Sequence, residues 1–270
     1  MDDDAASEWR DRGALFDLVP DEYVDARPGY PDQLCQLLAE RCGLADGTSV
    51  LEIGAGVGQA SLPMLAAGAR MTLVEPGRAL AERLARRTVG MDVRIVVDTF
   101  EAADLPRGAF DVVAAATAFH WVNPDVGYGK CASVLRRGGW LALWWNVFGD
   151  EDRPDPFHEA LLPILEAKAP QLVAEGGAAS SYAFDARARI EEITQTESFG
   201  PVEQHVIRWE GRHGPQDLRR MFTTFSPWLA LPDGLREELL DDVAALARNQ
   251  FGDLVVRPYQ TVAYLAQRPG

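Results

Sequence analysis

Short apolar runs alternate with helix-patterned segments along the central part of the chain. Five of these runs predict strands, and Val50, Leu51 and Ile53 in the first are typical of a strand that is buried in a parallel sheet. The predicted strands lie at 49–53, 70–75, 92–97, 110–116 and 138–145. The predicted helices of this part lie at 58–67, 78–87 and 124–136. Strands and helices in this alternation indicate a parallel sheet with helices on both faces.

The pattern changes on either side of this alternation. Before it, an aromatic-rich segment at 7–31 ends in a proline-bounded turn that leads into a helix at 32–42. After it, residues 150–200 carry eleven acidic and four basic side chains, and the position of this insertion after the fifth strand is typical of a substrate cap. Helices are predicted at 156–168, 185–196, 215–226 and 233–248, and strands at 203–211 and 255–267.

These patterns divide the chain into four regions. They are an N-terminal helical cap at 1–48, a ligand-binding core at 49–149, a helical cap insertion at 150–200, and C-terminal strands with intervening helices at 201–270.

Glycines stand at alternate positions directly after the first strand, in the run VLEIGAGVG at 50–58. Such a turn brings its backbone close to a ligand that a Cβ would push away. A dinucleotide fingerprint G-x-G-x-x-G would place its third glycine where Gln59 stands, whereas Gly58 comes one residue earlier. The spacing therefore departs from the pattern that holds a pyrophosphate on a helix N-terminus.

Two acidic residues narrow the class of ligand. Glu52 precedes the first glycine, where its charge would repel a pyrophosphate and suit a cationic amino acid. Glu75 ends the next strand, at the position where a carboxylate takes the two ribose hydroxyls of a nucleotide. Together with the glycine spacing, these acids favour S-adenosylmethionine over NAD.

The chain resembles the class I S-adenosylmethionine-dependent methyltransferases of type 11, and in particular their trans-aconitate methyltransferase-like branch. The resemblance rests on the segments YVDARPGYP (23–31), VLEIGAGVGQAS (50–61), VEPG (74–77), FDVVAAATAFHW (110–121), LRRGGWLALWW (135–145) and TFSPWLALP (224–232). It implies a Rossmann-like, doubly wound α/β fold with a mostly parallel seven-stranded sheet and a helical substrate cap. It also implies S-adenosylmethionine as cofactor and S-adenosylhomocysteine as product, and it leaves the substrate open.

The resemblance implies that the cofactor lies outside the carboxyl ends of the strands. Phe100 would stack on adenine and Asp98 would accept from its amino group, although a solvated loop acid is an equal interpretation of Asp98. Thr117 ends the fourth strand, whose tip faces the transferring methyl group in this fold. The expected cofactor contacts are Glu52, Gly54, Gly56, Gly58, Glu75, Pro76, Asp98, Thr99, Phe100 and Thr117.

Aromatic and polar residues around the fourth and fifth strands predict the acceptor site. His120 titrates near neutral pH and could deprotonate a hydroxyl, but packing of the loop beside Trp121 is the alternative that we favour. Strict alternation along a strand would turn either Trp144 or Trp145 toward the core. The expected substrate contacts are Tyr23, Arg27, Tyr30, His120, Trp121, Trp144, Trp145 and Asn146.

A carboxylate acceptor would need a cation in place of a base. The candidate cations are Arg27, Arg208, Arg219 and Arg220.

Composition and charge argue against several classes of binding partner. A net charge of −15 and a pI near 4.7 argue against nucleic acid, whose binding needs clustered Lys and Arg. The sequence shows neither a signal peptide nor an apolar run near the roughly 20 residues that span a bilayer, so a soluble cytoplasmic protein is expected. Three cysteines and four histidines lack metal-binding spacing. The excess of Arg over Lys suits a GC-rich bacterial genome.

The sequence therefore predicts a methyltransferase that acts on a small molecule, with oxygen as the favoured acceptor atom. N- or C-methylation is the alternative within enzymes. A regulatory protein that binds the cofactor without transferring its methyl group is the alternative from another class. The identity of the acceptor and the oligomeric state stay open.

Overall fold

A computed structural model describes residues 27–150, 152–174 and 182–270. Within these ranges the strands form one seven-stranded sheet in the order β3-β2-β1-β4-β5-β7-β6. The strands are β1 (Ser49–Ile53), β2 (Arg70–Val74), β3 (Val93–Val96), β4 (Phe110–Ala116), β5 (Leu135–Phe148), β6 (Val202–His213) and β7 (Val255–Gln267). Neighbours among β1 to β5 pair in parallel, whereas β7 runs antiparallel between β5 and β6.

Helices connect these strands and cover the sheet. They are α1 (Asp32–Cys42), α2 (Ser61–Ala66), α3 (Arg78–Arg87), α4 (Pro124–Val134), α5 (Pro156–Lys168), α6 (Pro170–Ala174), α7 (Ala186–Thr194), α8 (Pro215–Phe222), α9 (Ser226–Leu229) and α10 (Asp233–Phe251). A 3₁₀ turn spans Phe119–Trp121. None of the helices in the described ranges combines the length and the apolar character that a membrane crossing requires.

The predicted fold class is confirmed, and several boundaries differ from the prediction, three of them for clear local reasons. The helix predicted from residue 58 begins at Ser61, because Gly58 has a φ of +93° that no helix continues. The helix predicted at 215–226 ends at Phe222, and a separate short helix begins at Ser226 with Pro227 in its first turn, where a proline is tolerated. β5 extends to Phe148, since it pairs there with Tyr259 of β7.

Side chains that alternate along the strands build two apolar layers. Val113 and Ala115 of β4 belong to the layer under α4 and α7, while Val112 and Ala114 belong to the layer under α1 and α2. A third apolar cluster joins α5 to α8 and α10 and lies apart from the sheet layers. The region 150–200 is thus divided, because α5 joins this helical cluster whereas Ile193 of α7 packs into the sheet core.

Candidate active site

The strand order reverses between β1 and β4, and a cleft opens there at their carboxyl ends. In open α/β sheets this reversal point is where ligands bind. The cleft is lined by Arg27, Pro28, Tyr30, Glu52, Gly54, Ala55, Gly56, Gln59, Ala60, Ala116, Thr117, Asn146 and Phe148. Sequence-predicted residues for both the cofactor and the acceptor therefore meet in one place.

The three glycines after β1 all have positive φ, but they serve different neighbours. A Cβ on Gly54 would lie 2.5 Å from the Cβ of Ala118, and one on Gly58 would lie 2.8 Å from Cδ1 of Leu84. Packing therefore requires glycine at position 54, whereas at position 58 the left-handed backbone is the main reason for glycine, because the end of the Leu84 side chain can move. A Cβ on Gly56 would meet only Oε1 of Gln59, at 4.0 Å, so Gly56 is the glycine that leaves space toward the cleft.

Glu75 links the glycine turn to the loop after β2. Its Oε2 accepts the backbone N–H of Gly56 at 2.7 Å, and its Oε1 accepts that of Gly77 at 2.9 Å. The side chain is buried, which holds the carboxylate in place between the two loops. Pro76 stands between Glu75 and Gly77 in the sequence and is exposed.

Glu52 lies at the floor of the cleft and is 1% exposed. The hydroxyl of Ser61 donates to its Oε2 at 2.5 Å. Burial raises the pKa of the Glu52 carboxyl to about 8, against the opposing effect of the Ser61 hydrogen bond. Desolvation therefore favours the neutral acid in the protein without ligand, whereas the sequence led us to expect a charged carboxylate.

Gln59 is a cleft residue that the sequence analysis noticed only as an exception to the dinucleotide pattern. Its amide nitrogen Nε2 is buried and has no hydrogen-bond partner within the described structure. Buried amide donors are almost always paired in folded proteins, so an unpaired one at a cleft wall indicates a place for a ligand acceptor. Together with the open space at Gly56, this orphaned donor fits a polar ligand held at the end of β1.

Thr117 directly follows β4 in a strained conformation. Its φ of +54° lies in the left-handed region, which β-branched residues rarely adopt. The conformation is held because the backbone N–H of Thr117 donates to the carbonyl of Trp144 at 2.7 Å. Its hydroxyl lies 3.0 Å from the hydroxyl of Tyr30. Strain of this kind concentrates at functional sites, and here it sets two hydroxyl groups side by side in the cleft.

Residues 27–30 cross the cleft and are tied to three different parts of the fold. The guanidinium of Arg27 donates to the hydroxyl of Thr224 at 2.9 Å and to its carbonyl at 2.8 Å. Nδ2 of Asn146 donates to the carbonyl of Gly29 at 3.0 Å, and Tyr30 contacts Thr117. Tyr23, which the sequence places with them, lies outside the described residues.

His120 is held by aromatic neighbours beside the cleft and is absent from its lining. The indole N–H of Trp145 donates to Nδ1 of His120 at 3.1 Å, and the rings of Trp121 and Tyr182 pack against the imidazole. Burial, together with the charges of Arg27 and Arg189, lowers the pKa of His120 to about 4. The imidazole is therefore neutral near pH 7, with its proton on Nε2.

Both strand tryptophans are buried, which corrects their expected place in the acceptor pocket. Trp144 is 1% exposed and packs edge-on to Tyr30 in one sheet layer, while Trp145 is 3% exposed in the other. The strand alternation led us to expect one of the two tryptophans in the core. Both are buried there, because α7 and Tyr182 cover the second face of the sheet as well. Trp121 is half-buried against His120.

Phe100 is turned into the core, so its expected stacking on adenine is wrong. The ring is 3% exposed, and the ammonium of Lys130 lies 5.3 Å from its centroid. That lysine is fixed in turn by the carbonyls of Glu101 and Ala103. Asp98 and Thr99 lie on the exposed loop after β3, where Asp98 accepts the backbone N–H of Thr99 at 2.8 Å.

The other candidate cations form ion pairs away from the cleft. Arg208 pairs with Asp150 and Asp152, Arg219 with Glu237 and Asp241, and Arg220 with Asp217. Of the arginines proposed for a carboxylate acceptor, Arg27 is the one that lines the cleft.

Comparison with known proteins agrees with this geometry. Residues 51–143 match the profile of the methyltransferase domain family. An uncharacterized methyltransferase of Schizosaccharomyces pombe is 25% identical over 261 residues, which cover 95% of this chain and 98% of that protein. An uncharacterized methyltransferase of Mycobacterium bovis is 27% identical over 237 residues, which cover 88% of this chain and 87% of that protein.

Solved structures share the fold at lower identity. Phosphoethanolamine N-methyltransferase 2 of Haemonchus contortus, solved with phosphomonomethylethanolamine and S-adenosylhomocysteine, aligns with a TM-score of 0.58 at 15% identity over 97% of this chain and 59% of its own. A protein of Anaeromyxobacter dehalogenans described as a type II methyltransferase aligns with a TM-score of 0.62 at 23% identity, over 90% of this chain and 99% of its own.

Fold, cleft and sequence similarity together indicate a methyltransferase that uses S-adenosylmethionine. Residues 51–143 match the methyltransferase domain family, and the similarity of the chain to whole methyltransferases extends over most of its length. The narrower resemblance to trans-aconitate methyltransferases stays a prediction.

Proposed function

We propose that this enzyme transfers the methyl group of S-adenosylmethionine to an oxygen atom of a small molecule. The observation that carries the proposal is the composition of the cleft at the end of β4. There the hydroxyls of Tyr30 and Thr117 lie 3.0 Å apart, near the amide of Asn146 and the guanidinium of Arg27. Neutral hydrogen-bonding groups with one cation suit an oxygen acceptor better than a protonated amine.

The cofactor would lie across the ends of β1 and β2. The buried carboxylate of Glu75, held between the two loops by the N–H groups of Gly56 and Gly77, would accept the ribose hydroxyls. Glu52 would face the ammonium of the methionine part, and Gly56 would allow the close approach. The loop at Asp98 and Thr99 would meet adenine without help from Phe100, whose ring is buried.

When bound, the cofactor supplies an electrophilic methyl group. The chain's own residues hold the acceptor in line with it and exclude water, and such positioning contributes about 7–11 kcal/mol to lowering a barrier. The strained backbone of Thr117 fixes its hydroxyl toward Tyr30, and the Arg27–Thr224 contacts close one wall. We propose that the cap comprises residues 27–48 with α5 and the helices α8 to α10, which pack as one cluster.

His120 is poorly placed to act as the base. Because Nδ1 accepts the indole N–H of Trp145, the neutral ring carries its proton on Nε2 and can only donate from there. To take up a proton at Nε2, the ring would first need its proton on Nδ1. That N–H would then point at the indole N–H of Trp145. A carboxylate acceptor needs no base, and Arg27 supplies the nearby cation. Among oxygen acceptors the cleft therefore favours carboxylates over hydroxyls.

An acceptor screen tests this proposal. Purified enzyme is incubated with S-adenosylmethionine and matched series of carboxylic acids, phenols, alcohols and amines, and release of S-adenosylhomocysteine is measured. We expect turnover with an oxygen acceptor, and a carboxylate product would lose its methyl group as methanol in mild alkali. Turnover confined to amines, with an alkali-stable product, would contradict the proposal.

A further inference from the structure

Gln59 has an unpaired donor at the wall of the cleft. Within the described residues three buried side-chain nitrogens lack a partner, namely Nε2 of Gln59, Nε1 of Trp144 and Nε of Arg189. Of these residues only Gln59 lines the cleft. Its amide lies against Gly56, with Oε1 at 4.0 Å from the place where a Cβ would stand. The orphaned nitrogen is therefore next to the one glycine that leaves room for a ligand.

The chemistry of this nitrogen limits what it can bind. A side-chain NH₂ group donates hydrogen bonds and accepts none, so its partner must be an acceptor. The neighbouring Glu52 has the opposite character, because a carboxyl oxygen accepts from an ammonium. A carboxyl near the end of β1 and an amide shortly before the start of α2 both line the cleft, and they match the ammonium and the carboxylate of a zwitterionic α-amino acid.

We infer that Gln59 donates from its side-chain amide to the α-carboxylate of S-adenosylmethionine and makes the site selective for a cofactor with an intact amino acid. This inference rests on the proposed function. It follows from the position of Gln59 beside Gly56 in the cleft lining, and the proposed function assigns the ribose to Glu75. Arg27 lines the same cleft but is already bonded to Thr224, which leaves it nearer to the acceptor side.

Three ligands separate the contributions of the amino acid. S-adenosylhomocysteine has both charged groups, its decarboxylated analogue keeps only the amine, and 5′-methylthioadenosine has neither. Titration calorimetry gives the dissociation constant of each ligand for the wild type and for Gln59→Met, which keeps the length of the side chain and removes the donor. Gln216→Met, at an exposed position of α8, is the matched control.

We expect Gln59→Met to weaken S-adenosylhomocysteine by about tenfold or more, because hydrogen bonds to charged groups are strong, and to leave the other two ligands within about twofold. Gln59→Glu should weaken S-adenosylhomocysteine further, since two carboxylates would face each other. The control should match the wild type, and equal unfolding midpoints would show that each variant folds.

Two results would overturn the inference while the proposed function stands. Equal weakening of S-adenosylhomocysteine and of its decarboxylated analogue by Gln59→Met would make Gln59 a packing residue. Unchanged binding of all three ligands would show that the amide makes no contact with the cofactor. A wild type that binds none of the three nucleosides would instead overturn the proposed function, and the inference with it.

Discussion

Cofactor binding should release a proton from Glu52. In the free protein burial raises the pKa of this carboxyl to about 8. At pH 7 the ratio of acid to carboxylate is then about 10 to 1, so about nine-tenths of the molecules hold the proton. If the ammonium of S-adenosylhomocysteine pairs with the carboxylate, binding removes about 0.9 proton per site at pH 7. The affinity should rise about tenfold per pH unit between pH 6 and 7.

Calorimetry in buffers of different ionisation enthalpy measures this proton. The slope of the observed binding enthalpy against the buffer enthalpy gives the number of protons released. Glu52→Gln keeps an oxygen that can accept from the hydroxyl of Ser61 and removes the titrating group, so its slope should be near zero. Asp104→Asn, at an exposed loop acid, should behave as the wild type.

The same group makes stability depend on pH, with a defined sign. Its pKa is raised from 4.5 in the unfolded chain to about 8 in the folded protein, so the folded state binds more protons between these values. The contribution of Glu52 to the free energy of unfolding is complete below pH 4.5. It is lost as the pH rises to 8, and the free energy falls by no more than about 1.4 kcal/mol per pH unit. Urea unfolding at pH 5.5 and 7.5 should show a smaller decline in Glu52→Gln than in the wild type.

Two outcomes would refute this reasoning. Binding of S-adenosylhomocysteine without proton release by the wild type would show that Glu52 stays protonated in the complex, and the ammonium would have to bind elsewhere. Equal decline of stability with pH in the wild type and in Glu52→Gln would show that the carboxyl is not the group that titrates.

Other consequences of the site are open to direct measurement. Glu75→Ala should weaken S-adenosylhomocysteine at least about tenfold by calorimetry, because a charged acceptor for the ribose is lost; unchanged affinity in a folded variant would rule the contact out. Gly54→Ala should lower the free energy of unfolding by about 2–5 kcal/mol, because the left-handed backbone is strained and the new Cβ clashes with Ala118. Gly56→Ala has only the backbone strain and should lower it by about 1–2 kcal/mol. Equal losses in urea titrations would contradict this. His120→Asn should keep most of kcat with any acceptor that the screen finds, and the rate of the wild type should show no step near pH 6.5. A loss of kcat beyond about a thousandfold in the variant would make the histidine a base.

The sequence predicted the sheet because strand and helix signals are local. The bounds of β1, β4 and β7 and of α3 and α5 coincide with those expected from the apolar pattern. The place of the site followed for the same reason, since residues at the carboxyl ends of consecutive parallel strands meet at one edge. Neither result requires knowledge of which side chains touch.

Side-chain partners across the fold could not be predicted in this way. The need for glycine at Gly54 comes from Ala118, which is 64 residues away in the sequence. The burial of Phe100 depends on Lys130 from α4, and that of Trp145 on Tyr182 beside α7. Such contacts decide whether a side chain faces ligand or core, and periodicity within one element does not contain them.

The charge balance of the reaction connects these features to the choice of acceptor. A sulfonium and a carboxylate lose opposite charges as the methyl group moves, and a site that excludes water favours such a loss. A neutral hydroxyl would instead create a cation that must pass its proton on, and His120 is already committed through Nδ1 to Trp145. Arg27→Gln offers a test at the acceptor side: it should raise the KM of a carboxylate acceptor more than that of an alcohol, with the affinity for S-adenosylhomocysteine little changed. Equal effects on both acceptors would mean that Arg27 only ties the chain to Thr224 and does not recognise the acceptor.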